Sequence, residues 1–199
     1  MELQCILGLK CNDFAMIAAD QMIINSIIVM TDEHEKIFKI DDKMIMAVVG
    51  EHGETQQFVH YLMRNMHLYQ IRNNYSLDIG AVAHFARRNL ADAMRRSRSY
   101  NGAILAGYDD KEGGQLYFLE GLGVSQQMPF AAIGLAGMLS VGVLCRYHKP
   151  NLTEAEAYEV LKLSTQEIQQ RFIVQLPKFQ VSLVSKDGVK QLPTLQHGS

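Results

Sequence analysis

The order of apolar strands and amphipathic helices along the sequence constrains the fold of this chain more than any other feature. Strand-like runs occupy Leu3–Val49, and two helices follow over about Glu54–Tyr69 and Asp78–Arg96. More strands lead to a third helix over about Gly137–Tyr147 and a fourth that opens at Thr153, and strands close the chain. Because the helices come in pairs, the pattern does not describe repeated βαβ units. It suits two antiparallel sheets stacked face to face, with a helix pair outside each.

The long helices are recognised from apolar residues that recur at helical spacing. Asn73-Asn74 ends the first helix, and Thr153 with Glu156 forms a capping-box pattern at the start of the fourth. The predicted buried faces are Phe58, Leu62, Met66 and Tyr69 in the first helix, Ile79, Val82, Ala86, Leu90 and Ala93 in the second, and Tyr158, Leu161, Ile168 and Phe172 in the fourth.

Apolar runs bounded by turn residues predict the strands. The last two strands are joined by Lys186-Asp187-Gly188, in which Asp-Gly is a strong hairpin signal. The predicted strands are Leu3–Leu9, Phe14–Ala19, Met44–Val49, Ala103–Tyr108, Gln115–Leu119, Val124–Gln126, Phe130–Ile133, Lys178–Ser185 and Val189–Leu192.

Composition and charge exclude several classes of function. The chain has 199 residues, 48% of them hydrophobic, and we expect a single domain over 1–199 with a short C-terminal tail at about 193–199. A net charge of −2 gives no electrostatic case for a nucleic-acid or membrane partner. Of the three cysteines, Cys5 and Cys11 are too far apart along a strand to form a bridge, which favours a reducing compartment, the cytoplasm and nucleus.

Asp20, Lys36 and Gly50 form a spaced set near the start of the chain. A strand ends in Ala18-Ala19-Asp20, Lys36 follows in the next segment, and the next apolar strand stops at Gly50 just before a helix. This arrangement resembles the beta subunits of the 20S proteasome, whose active members begin with a catalytic threonine.

Further segments, in the same order as in that family, resemble its type 4 beta subunit (beta type-2 in human naming). A chain that starts almost at its first strand, without a propeptide, is a further expectation from this resemblance. The segments are Arg87–Asp92, Ala106–Asp109 with Gly113 and Leu116-Tyr117, Pro129–Ala132 with Gly134, Arg146-Tyr147, and Gln170–Ile173 with Leu176-Pro177.

The resemblance implies an α+β fold, the four-layer αββα sandwich of the N-terminal nucleophile hydrolases, in which helix pairs flank two antiparallel sheets. It places the family's nucleophile at Gln4 and the processing glycine at Leu3. A glutamine amide cannot replace a hydroxyl or thiol, because its nitrogen has no usable lone pair. The family's supporting serine falls at Leu135, and the aspartate and serine that orient the site fall at Phe172 and Gln175.

We therefore expect a non-catalytic subunit with no catalytic, cofactor-binding or metal-binding residues. Asp20 and Lys36 are interpreted as a structural ion pair inherited from the active fold, although Glu35 and Lys39 leave the partner of Lys36 open. The expected function is architectural. The chain would form part of the heptameric beta ring that encloses the proteolytic chamber, where ubiquitin-dependent and other intracellular protein degradation takes place.

The resemblance also implies the partners of this subunit. Its lateral neighbours would be the type 3 and type 5 beta subunits, in a hetero-oligomer that includes no nucleic acid and no membrane. The third and fourth helices would meet the opposite beta ring, and the first and second would face the alpha ring. Met1, Glu2 and the tail Thr194–Ser199 are candidate contacts with neighbours.

Two other functions compete with the architectural one. The first is an active N-terminal nucleophile hydrolase that uses Thr55, or Cys5 after N-terminal trimming. It is disfavoured because Cys5 lies one residue past the matched nucleophile position. The second is a regulatory ligand-binding module, but no pocket motif in the sequence supports it.

Histidines at two places could suggest metal sites, one on the first helix and one before the third predicted strand. In each case the neighbouring residues argue against a metal. His60 and His67 share a helical face, but Arg64 between them would repel a cation. His34-Glu35 resembles the start of a zinc-protease motif, yet Phe38 takes the place of the second histidine. A polar surface is the better interpretation of these residues.

Arginines on and just after the second helix suggest nucleic-acid binding, but the segment lacks interleaved aromatic residues. We interpret them as solvated or subunit-facing side chains. Cys145 is interpreted as a small apolar packing residue on the third helix. The arginines are Arg87, Arg88, Arg95, Arg96 and Arg98.

Overall fold

A computed structural model describes residues 3–25, 28–95 and 100–196 of the chain. The predicted neighbour contacts at Met1, Glu2 and 197–199, and the arginines Arg96 and Arg98, lie outside the described residues. The strands are β1 (Ile6–Lys10), β2 (Phe14–Asp20), β3 (Ile23–Asn25), β4 (Ile28–Thr31), β5 (Ile37–Asp41), β6 (Met44–Gly50), β7 (Tyr100–Asp109), β8 (Gly113–Glu120), β9 (Val124–Gln127), β10 (Phe130–Ile133), β11 (Lys178–Ser185) and β12 (Gly188–Gln196). The helices are α1 (His52–Asn73), α2 (Ile79–Arg95), α3 (Val141–Tyr147) and α4 (Glu154–Arg171).

Two five-stranded antiparallel sheets form the centre of the molecule. The first has the strand order β10-β1-β2-β11-β12, and the second has the order β5-β6-β7-β8-β9. Strands β3 and β4 form a separate hairpin. The chain thus leaves the first sheet after β2, builds the whole second sheet, and returns with β10 and β11 to the two sides of the β1–β2 pair. The two sheets predicted from the order of elements are therefore confirmed.

Alternation along the strands shows that each sheet is buried on both faces, as a four-layer sandwich requires. In β2, Ile17 and Ala19 face the space between the sheets, whereas Met16 and Ala18 face the layer that contains α3 and α4. In the second sheet, Met46 likewise packs against α1 and α2. Because neither face meets solvent, β2 and β6 are continuous apolar runs with every residue buried.

Capping residues set the ends of the long helices. Asn74 adopts the left-handed conformation (φ 60°) and donates its backbone N–H to the carbonyl of Gln70, which ends α1. Thr153 and Glu156 form the predicted capping box of α4, with both reciprocal hydrogen bonds present. The helix α1 is longer than predicted at both ends, because residues outside the apolar stripe also take helical geometry.

The prediction of one continuous third helix is wrong. A 3-10 turn covers Gly137–Leu139, and α3 begins only at Val141, after Ser140. The Ser140 hydroxyl donates to the carbonyl of Gly137 at 2.7 Å, so the side chain competes with the helical ladder at this point. The prediction that Cys145 packs inside is also wrong. Its thiol is exposed because Leu144 is the buried residue of this short helix.

Candidate functional site

Strand pairing in the first sheet brings the residues around the matched nucleophile position together. Ile6 pairs with Ala19 across β1 and β2, so the residues just before β1 lie beside the end of β2. The backbone N–H of Cys5 donates to Oδ1 of Asp20 at 2.7 Å, and the N–H of Asp20 donates to the carbonyl of Cys5 at 3.0 Å. The carboxylate of Asp20 is thereby fixed next to residue 4.

Asp20 and Lys36 form a buried ion pair. Lys36 Nζ lies 2.7 Å from Asp20 Oδ2, and it also donates to the carbonyl of Met22 at 2.7 Å. The N–H of Met22 donates to Asp20 Oδ2 at 3.1 Å. The open question of the partner of Lys36 is thus settled, since Lys39 pairs with Asp42 at the surface instead.

Burial governs the ionisation of this pair. Loss of hydration raises the pKa of the Asp20 carboxyl, and the charge and hydrogen bond of Lys36 partly oppose that rise, together with the N–H groups of Cys5 and Met22. Among the described residues, the groups that hydrogen-bond to the carboxylate of Asp20 are all donors: the N–H groups of Cys5 and Met22, and Lys36 Nζ. Both carboxylate oxygens are thereby hydrogen-bonded, as expected for a pair that holds structure.

Gln4 fills the place that a nucleophile would need. Its Nε2 donates to the carbonyl of Gly50 at 3.1 Å, and the N–H of Gly50 donates to its Oε1 at 3.2 Å. The side-chain amide is therefore paired with both groups of one residue at the end of β6. Since the N–H of Gly50 points at residue 4, it is the donor that could stabilise an oxyanion there, and the amide oxygen of Gln4 already occupies it.

The remaining cavity around Gln4 is about 10 Å³, no more than one water molecule requires. At its edge the rings of His34 and His52 meet edge to face, with centroids 4.3 Å apart. Burial, His52 and Lys36 all lower the pKa of His34, which favours its neutral form. A peptide could not enter this cleft without displacing its lining residues, which are Gln4, Ile23, His34, Lys36, Phe38, Val48, Gly50, His52 and Thr55.

The other matched positions lie at different distances from the cleft. Gly134, which precedes Leu135, has φ +91°, and a Cβ placed there would collide with the carbonyl oxygen of Gln4. Leu135 thus follows a backbone that touches the site, and 37% of its own surface is exposed to solvent. Phe172 packs against the apolar cluster that includes Cys5. Gln175 is exposed and makes no hydrogen bond within the described residues.

The alternative nucleophiles are unsuited to attack. Cys5 is fully buried, and its burial raises the pKa of its thiol well above the ordinary value, with a smaller contribution from Asp20. Thr55 lies beside the cleft but is also buried, and its hydroxyl donates to the carbonyl of His52 at 3.0 Å. Among the hydrogen bonds of the described residues, none joins either side chain to a base that could activate it.

The candidate metal and nucleic-acid residues form no site in the parts of the chain that the structure describes. No group of three or more histidine, cysteine and acidic side chains there could hold a metal ion. His60 and His67 are exposed on α1. Arg95 pairs with Asp92 at 3.0 Å on the surface of α2. No helix among the described residues is long and apolar enough to cross a bilayer.

The Gln4–Gly50 pairing is the feature that the sequence pattern did not reveal. The two residues are 46 positions apart: Gln4 lies just before β1 of the first sheet, and Gly50 ends β6 of the second. A weak signal was present, because a glycine in a buried strand often marks a place where another group approaches the backbone closely. Which side chain it binds depends on the stacking of the sheets.

The comparisons with known proteins all point to the same family. A family model described as "Proteasome subunit" matches residues 3–184. Proteasome subunit beta type-2 of Oryza sativa is 31% identical over 189 residues, covering 95% of this chain and 89% of the relative. Proteasome subunit beta type-4 of Saccharomyces cerevisiae is 32% identical over 193 residues, and beta type-2 of Dictyostelium discoideum 34% over 194, each covering 96% of this chain and 98% of the relative.

Proposed function

This chain belongs to the proteasome subunit family, and from that membership we propose that it is a non-catalytic beta subunit of the 20S core particle. Its relatives are beta type-2 and type-4 subunits over nearly their whole length. The proposed function is architectural: the chain forms part of the heptameric beta ring around the proteolytic chamber and cuts no peptide bond itself.

The amide pair between Gln4 and Gly50 is the observation that carries this proposal. A working site needs a nucleophile at residue 4 and an unoccupied N–H to receive the oxyanion. Gln4 supplies no nucleophile, and its amide oxygen takes the N–H of Gly50. The retained Asp20–Lys36 pair then has a structural use, because it holds the start of β1, the end of β2 and the segment before β5 together.

Two exposed apolar surfaces support assembly with other subunits. One lies on α1 and the segment after it, and it includes Ile71, with 64% of its surface exposed. The other lies on the opposite helix layer, where Met138 is 72% and Ile173 90% exposed. Two such surfaces on opposite faces suit a subunit that meets a ring on each side.

The proposed contacts follow from the family. The helices α1 and α2 face the alpha ring, α3 and α4 meet the opposite beta ring, and the type 3 and type 5 beta subunits are the lateral neighbours. The particle acts in the cytoplasm and nucleus.

Native mass measurement from cell extract tests the assembly. The chain should be found in a particle many times heavier than a single 199-residue chain. A chain that is chiefly monomeric in the extract would overturn the proposal.

An active-site probe tests the absence of catalysis. An epoxyketone inhibitor applied to the purified particle should label other beta subunits and leave this chain unmodified. An adduct on this chain would refute the non-catalytic role. Peptide turnover by the purified chain that disappears in Cys5→Ala would instead establish the competing hydrolase.

A further inference from the structure

A second concave site lies away from the cleft, between α1 and the turn that joins β5 to β6. Its cavity is about 390 Å³, within the range of roughly 300–1,000 Å³ typical of ligand pockets. Strand β5, the start of β6, α1 and the segment that leads into α2 all contribute to it. Its lining residues include Asp41, Met63, Arg64, Met66, His67 and Gln70.

The floor of this site is apolar and adaptable. Met44 is buried at its base, and Met63 and Met66 are half-buried beside it. Unbranched methionine side chains can repack around differently shaped apolar groups, and they are over-represented at surfaces that bind peptides. The floor therefore suits an apolar side chain whose shape need not be unique.

One wall presents hydrogen-bond donors without partners. Arg64, His67 and Gln70 follow one another at intervals of three residues on α1, so each is a surface neighbour of the next, and all three line the pocket. Within the described residues none of these three side chains makes a hydrogen bond or an ion pair. An exposed guanidinium with no partner is suited to a carboxylate, which it can bind through two N–H groups.

The opposite wall presents an acceptor. Asp41 receives one internal hydrogen bond, from the N–H of Asp42 at 2.8 Å, and the rest of its carboxylate is available. Asp42 itself is paired with Lys39 at 2.7 Å and adds little net charge. The pocket thus offers donors on one side, an acceptor on the other and an apolar floor between them.

We infer that this pocket binds the C-terminal end of a peptide chain whose last residue is apolar. The terminal carboxylate binds Arg64 and His67, the preceding backbone N–H donates to Asp41, and the last side chain packs on the methionines. A fatty acid would satisfy the donor wall and the floor but would leave Asp41 without a donor, which is why the peptide is favoured. The proposed function places α1 against the alpha ring, so this inference concerns the pocket before that contact forms, and the test uses the free chain.

The test compares ligands that differ in a single group. A fluorescent pentapeptide ending in leucine is titrated into the full chain with a free C-terminal carboxylate and, separately, with an amidated end. The free acid should bind about tenfold more tightly or better, because the amidated end loses the charge-assisted bonds. Equal affinity of the two peptides, or no binding of the free acid at millimolar concentration, would overturn the inference.

Variants of the walls complete the test. Arg64→Gln and Asp41→Asn should each weaken binding of the free acid about tenfold without changing the thermal melt, since both side chains are at the rim. Arg72→Gln is the matched control: it removes an exposed arginine from the same helix outside the pocket and should leave the affinity unchanged. An equal loss of affinity in Arg72→Gln would show that only the overall positive charge of the helix matters, and it would overturn the inference. Displacement of the peptide by an equal concentration of laurate would refute the assignment to a peptide end.

Discussion

Replacing Lys36 by methionine removes the cation from the buried pair while keeping most of the side-chain volume. Asp20 then keeps the two backbone N–H groups of Cys5 and Met22 but loses its counter-charge. The carbonyl of Met22 loses its donor as well. Breaking a buried pair costs about 3–5 kcal/mol when one charge is left behind. We expect a loss of about 4 kcal/mol in the free energy of unfolding at neutral pH, since two of the three donors to Asp20 remain.

The pH dependence of this loss follows from the ionisation of Asp20. Burial already raises the pKa of the carboxyl in the folded chain, and Lys36 opposes the rise, so the pKa rises further in Lys36→Met. A folded state that binds the proton more tightly than the unfolded state loses stability as pH rises between the two pKa values. The destabilisation should therefore be large at pH 7.5 and smaller at pH 5, where the folded variant takes up a proton.

Urea unfolding followed by circular dichroism measures both effects. The double variant Asp20→Asn/Lys36→Met serves as the control, because it removes the buried charge together with its partner. It should be more stable than Lys36→Met by about 2 kcal/mol at pH 7.5. An equal loss in Lys36→Met at both pH values, or a double variant no more stable than the single one, would refute the account of Asp20 as a buried, compensated carboxylate.

Three further substitutions test contacts elsewhere in the fold, each by the same unfolding measurement. Gln4→Leu removes both amide bonds to Gly50 and leaves the two polar groups of its backbone unpaired, so it should cost about 2 kcal/mol; a change under 0.5 kcal/mol would contradict the bridge between the sheets. Gly134→Ala should cost about 2 kcal/mol or more, because the new Cβ meets the carbonyl of Gln4 at a positive φ; an unchanged melt would show that this loop relaxes freely. Thr153→Ala should cost about 1 kcal/mol by removing the side-chain cap of α4, whereas Thr153→Ser should retain most of it; equal losses would argue against the cap.

Local pattern was sufficient for most individual elements. The strands Phe130–Ile133 and Lys178–Ser185 have the predicted boundaries, and Thr153 opens its helix as expected. These signals depend on neighbouring residues, through strand alternation, helical spacing and capping. Where a side chain disturbed that local regularity the prediction was wrong, as at Ser140, whose hydroxyl interrupts the third helix.

The sequence by itself determined the chemistry available at the start of the first strand. Glutamine at residue 4 carries no nucleophile wherever it lies, and Asp20 and Lys36 supply one carboxyl and one amino group in any fold. Only the tertiary structure decided how these groups are used, because the contacts join residues far apart in the chain. Lys36 meets Asp20 once the segment before β5 crosses the end of β2, and the amide of Gln4 meets Gly50 once the two sheets stack. Such contacts depend on the relative placement of whole sheets, which no local pattern of residues encodes.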